Sequence, residues 1–187
     1  RLFSFPTVYA SLKFGLDKPA QGLKINTVKH SAVMLLMQHM WNHKIRLLSS
    51  YLREYNGDAD VTYESGLVHV HVYASKANFE KAFRNLIARL KFEDISVHDL
   101  AEAEERAIRE LSDTDVSFAK TQKDFTNFVL KNEFSAAEIL EYLKSSRAEV
   151  IPFSFGSPDV VFGLFEGHLD HEEATAYYHI LKEHFPM

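Results

Sequence analysis

Residues 51–90 read YLREYNGDADVTYESGLVHVHVYASKANFEKAFRNLIARL, and two periodicities follow one another within them. From Leu67 to Ala74, Val68, Val70 and Val72 alternate with His69, His71 and Tyr73. Alternation at period two predicts a strand with one apolar, core-facing side and one outward side. A second strand is expected just before it, Ala59 to Ser65, and only Ser65-Gly66 separates the two, as in a hairpin or bent meander. The pattern then changes period. Phe79, Phe83, Leu86, Ile87 and Leu90 recur at steps of three and four, which predicts a helix from Lys76 to Lys91 capped by Ser75. Upstream, Asn56-Gly57-Asp58 is a turn signal that ends whatever precedes it.

What precedes it is a long helical pattern. It starts at Asn26 or Thr27, both good N-caps, and runs to about Tyr55 with Val33, Leu36, Met37, Met40, Trp41, Ile45, Leu48 and Leu52 inward. Before that, Val8, Ala10, Leu12, Phe14 and Leu16 alternate with polar residues, predicting a half-buried strand from Thr7 to Leu16. Downstream, Ser96 with Asp99 and Ser135 with Glu138 are capping-box signatures for helices to Leu111 and Leu143. Between these two lies a further helical pattern, Asp113 to Leu130. A strand over Asp159 to Glu166 and a helix over His171 to His184 close the chain. The order β, α, ββ, four helices, β, α predicts an α+β sandwich: a mostly antiparallel sheet with several helices packed on one face.

Composition narrows the function classes. A chain of 187 residues, 46% hydrophobic and 25% charged, without an internal repeat or linker, is expected to form a single domain over residues 1–187. The opening on Arg1 suggests a piece of a longer, multi-domain chain. A net charge of -5 argues against a nucleic-acid surface, which needs a concentrated basic face. No run of apolar residues is long enough for a membrane span, and no secretory signal opens the chain. The absence of cysteine removes thiolate chemistry and fits a reducing compartment, cytoplasmic or organellar.

Histidine offers the main candidates for chemistry. His39 and His43 lie four apart on the long helix and share a face. His69 and His71 share the outward face of a strand. Either pair has spacing for two metal ligands, but neither brings a third ligand or a base, so the default is a surface or partner contact. Glu102, Glu104, Glu105 and Glu110, interleaved with Arg106 and Arg109, read as a solvated, charge-laced helix face. No phosphate loop, nucleophile elbow or Ser/His/Asp order is present.

The succession strand, long helix, "YLREYNGDADVTYESGLVHVHV", "NFEKAFRNLIARL", "SVHDLAEAEERAIREL" resembles a domain of the insulysin/pitrilysin family of zinc metallopeptidases. "FSFPTVYASLKFGLDKP" is similar to the family's opening strand. "VVFGLFEGHLDHEEATAYYHIL" is similar to its closing strand–turn–helix, with His168 where the family has Asn. The resemblance covers nearly the whole chain and rests on element order more than on fixed residues. It implies a metallopeptidase-like α–β sandwich in a parent of four homologous domains, the first carrying the zinc motif His-x-x-Glu-His and a Glu ligand further on. In this chain "LLMQHM" overlays that motif, so Leu35 stands for the first ligand, Gln38 for the general base, and His39 alone survives. Leucine offers zinc no donor, and glutamine takes no proton from water. Glu104 or Glu110 would supply one more ligand at most.

The resemblance therefore implies a non-catalytic domain, the "GHL" turn favouring the third, with no catalytic, cofactor or metal residues of its own and zinc held elsewhere in the parent. Its implied partners are the parent's other domains and a peptide substrate. His69, His71 and Tyr73 are the candidates for lining the substrate chamber. The alternatives are a structural core subunit related to the mitochondrial processing peptidases, a stand-alone interaction module, and a small metal enzyme built on one His pair.

Overall fold

The computed structural model describes residues 6–15, 27–64, 66–90, 96–113, 134–145 and 159–185. Four strands, β1 (Thr7–Gly15), β2 (Asp58–Glu64), β3 (Leu67–Ser75) and β4 (Asp159–Gly167), form one sheet in the order β2-β3-β1-β4. Every neighbouring pair is antiparallel. The described helices are α1 (Val28–Arg53), α2 (Lys76–Arg89), α3 (Val97–Ser112), α4 (Ala136–Ser145) and α5 (His171–His184). This is the α+β architecture expected from the element order. The helix anticipated after Asp113 and the loops around Lys18 and Phe155 lie outside the described residues.

Register explains why the sheet has a core side. Val8 faces Ala74, Ala10 faces Val72, Leu12 faces Val70 and Phe14 faces Val68, so the apolar residues of β1 and β3 form continuous rows. Each is at most 2% exposed. Helices α1 and α2 pack on that side, whereas α3 and α4 pack on α1 and on each other. The helices thus form two layers over one face where the sequence suggested a single bank. Double cover also explains why Ala32 to Met37 are all buried, a wider apolar surface than a one-sided stripe requires. The Phe14 ring meets Trp41 edge-on at 4.9 Å and Phe185 at 5.0 Å, joining sheet, α1 and the chain's end. Phe79 and Phe83 of α2 meet Tyr177 of α5 at 5.1 and 5.6 Å. Burying one such ring contributes about 1.5–3 kcal/mol.

Local chemistry sets the element ends. The Thr27 hydroxyl accepts the His30 N–H at 3.1 Å and starts α1. The helix stops at Arg53 because Asn56 turns to φ 57° and the Gly57 N–H returns to the Leu52 carbonyl at 2.8 Å. A Cβ on Gly57 would lie 2.6 Å from the Tyr73 carbonyl oxygen, so the turn needs glycine to reach β3. The capping boxes at Ser96/Asp99 and Ser135/Glu138 are present, and Asp170/Glu173 forms a third that opens α5. Ser75 behaves differently from expectation. Strand β3 runs into α2 without a loop, and the Ser75 hydroxyl accepts from the Asn78 side-chain amide at 3.2 Å while capping no backbone N–H. None of the described helices is long and apolar enough to cross a membrane.

Candidate functional site

The side of the sheet away from α1 and α2 is where the outward-pointing residues gather. His69, His71 and Tyr73 share this face, as their spacing predicts, while Val68, Val70 and Val72 are fully buried behind it. The register supplies neighbours that no local pattern reveals. Asp60 of β2 lies opposite His71, and Ser11 of β1 lies on its other side. Thr62, His69, Lys13 and Phe162 form the adjacent row across all four strands.

These rows interact. Tyr9 Oη lies 2.5 Å from His71 Nδ1, and the two rings stack at 5.9 Å. The His69 and His71 rings are 6.3 Å apart. Lys13 Nζ lies 5.7 Å above the centre of the Phe162 ring, a cation–π distance. Burial lowers the pKa of His69, and the neighbouring Lys13 charge lowers it further. Loss of solvation raises the pKa of Asp60, and the His71 opposite pulls it back. The face sets His69 beside Lys13, with phenols and an apolar margin. Tyr73 (41% exposed), Phe162 (46%) and Leu164 (38%) are the large apolar groups open to solvent here. The face offers aromatic contact area and hydrogen-bonding groups side by side. The outward positions of β1 were readable from its alternation; their pairing with His69 and His71 was not.

The second candidate lies on the opposite side of the molecule, in the seam between α1 and α3. His39 and His43 both face α3. His39 Nε2 lies 3.3 Å from Glu110 Oε2, and His43 Nδ1 lies 3.6 Å from Glu102 Oε1. Burial lowers the pKa of His39; Glu110 opposes that shift and Arg106 reinforces it. The carboxylate nearest His39 is Glu110 on a mostly exposed side chain, whereas Glu104 is itself buried. That corrects the expectation of a wholly solvated acidic face. Leu100, Ala103, Glu104 and Ala107 fall at steps of three and four on α3 and are the residues turned inward.

A zinc centre does not fit these residues. Leu35 is 4% exposed and has no donor atom, Gln38 is neutral, and His39 with Glu110 makes two ligands. Among the described residues, no three His, Asp or Glu side chains come together as a metal site.

Neither a protein-family model nor a curated protein matches the sequence of this chain. Among solved structures, the crystal structure of pitrilysin superposes with a TM-score of 0.71 over 98% of this chain, at 15% sequence identity. The chain spans 20% of the length of the pitrilysin chain. At that identity the likeness concerns the backbone, and it establishes that this chain has the fold of one segment of pitrilysin.

Proposed function

We propose that this chain is a non-catalytic domain of an insulysin/pitrilysin-like zinc metalloendopeptidase, one that shapes the peptide chamber while zinc and catalysis reside in another domain. The observation that carries the reading is the trio Leu35, Gln38 and His39 on α1. The resemblance expects ligand, base and ligand there, and two of the three groups lack the required chemistry. The likeness to a fifth of pitrilysin supports it, since a domain that size leaves room for others. The outer sheet face, with His69, His71 and Tyr73, is the proposed chamber lining. Its partners are a peptide substrate and the parent's other domains.

The coding sequence upstream of Arg1 tests this proposal. An intact His-x-x-Glu-His several hundred residues earlier in the same reading frame is the expected finding. A parent of only two such domains would make the chain a structural subunit, and a short independent gene would make it an interaction module. Either finding would replace the reading.

A further inference from the structure

Among the described strands β2 stands at one end of the sheet, with β3 on its inner side, so alternate residues turn their backbone N–H and C=O outward. An open row of that kind is a template for a further strand. Here the row is taken. Asn42 of α1 donates from its side-chain amide to the Val61 carbonyl at 2.7 Å, and its Oδ1 accepts the Val61 N–H at 3.2 Å. One carboxamide thus makes to Val61 the pair of hydrogen bonds that a neighbouring strand would make. Two residues back, Asp58 Oδ1 accepts the Ala59 N–H at 2.8 Å. Asp58 is held from α1 by the Ser49 hydroxyl at 2.5 Å and by Arg53 Nε at 2.9 Å. Asn42, Ser49 and Arg53 follow at steps of seven and four, which places them on one helix face, and α1 packs along β2. The far end of the sheet is managed differently: β4 shifts register against β1 between Lys13 and Phe14, a bulge that bends an edge.

We propose that α1 serves as a surrogate strand at the β2 edge, with Asn42 as its principal residue, and that it keeps this edge from pairing with the same edge of a second copy of the chain. A carboxamide suits the task because it sets a donor and an acceptor side by side, as a peptide unit does. The stretch from Ala59 to Glu64 contains neither Pro nor Lys, two residues that blunt exposed edges, so the protection falls to α1. Ala59 and Val61 are buried, and a backbone group left unpaired there costs free energy until it finds a new partner. Removing Asn42 supplies that incentive at the point where a strand could be added. The inference rests on α1 and β2 alone and survives or fails independently of the peptidase reading.

Sedimentation velocity of the 187-residue chain, with hydrogen exchange at Val61, provides the test. Asn42→Ala should associate several-fold more than the unsubstituted chain at the same concentration, and its Val61 N–H should exchange about tenfold faster. Ile87→Val, which trims the core on α2 away from this edge, should leave association unchanged. Adding Thr62→Lys to Asn42→Ala places a charge on the opened edge and should return association to the unsubstituted level. If Asn42→Ala does not fold, Asn42→Asp, which keeps the acceptor and loses the donor, is measured in its place against the same controls. A position-42 variant that associates no more than the unsubstituted chain would overturn the proposal. So would equal association of Ile87→Val, which would make general loss of stability the cause, or an unchanged exchange rate at Val61.

Discussion

One face of the sheet is closed and the other open, although the same strands build both. On the closed face Ala10, Leu12, Phe14, Val68, Val70 and Val72 have no exposed surface at all. One residue along each strand, the open face carries Tyr9, Lys13, His69, His71 and Tyr73, with Phe162 and Leu164 at its margin. The closed face specifies the fold because every side chain there must fit α1, α2 or a neighbouring strand. The open face has few such demands, so its residues are free to meet other molecules.

The two faces should respond to substitution on different scales. The largest effect is expected at Phe14→Ala, which removes a ring from between Trp41 and Phe185. A loss of about 3–5 kcal/mol is expected, read from the midpoint of urea unfolding. A loss near that of a surface substitution would mean that the closed face is not the core. Next comes Gly167→Ala, where φ is +114° and a Cβ would lie 2.2 Å from the Thr7 carbonyl oxygen. Strain of this kind costs about 1–3 kcal/mol, and it should loosen the β1–β4 pairing first. Hydrogen exchange along β4 would show it.

How much of this the sequence disclosed depends on whether a signal is local. The alternation of β1 and β3, the apolar spacing of α2 and two capping boxes are local, and they read correctly. Which strand lies beside β1 is not local. Both of its neighbours, β3 and β4, come from far along the chain, and no pattern within Asp159–Gly167 names its partner. The double cover of α1 is hidden for the same reason. A buried Ser31, His39 or Ser49 looks polar in sequence, and only the packing of α3 and α4 explains part of it. On the open face the outward set His69, His71 and Tyr73 was legible. Its neighbours Tyr9, Asp60 and Lys13 required the register.

Acidification should sharpen the comparison by acting on buried histidines. Burial lowers the pKa of His30, His39 and His69 below the ordinary imidazole value of 6.5. A group with a depressed folded-state pKa binds its proton more readily when unfolded. Stability from these three is therefore present above pH 6.5 and is lost as pH falls below it, through the lower folded-state values. Unfolding midpoints at pH 7.5 and 5.5 should differ in that direction, and His39→Gln should reduce the difference. The smallest effect on stability is expected on the open face. Tyr73→Ala should change it by no more than about 0.5 kcal/mol, as surface substitutions do, and, if the proposed function holds, it should weaken peptide binding. A variant that unfolds the domain and spares peptide binding would reverse the roles of the two faces.

The central proposal, a non-catalytic domain on a pitrilysin-like fold, meets its most direct test in the purified 187-residue chain. Zinc content and peptide cleavage should be measured together, with and without chelator. The account predicts substoichiometric zinc and no chelator-sensitive cleavage. One tightly bound zinc per chain, with cleavage that a chelator abolishes, would contradict it.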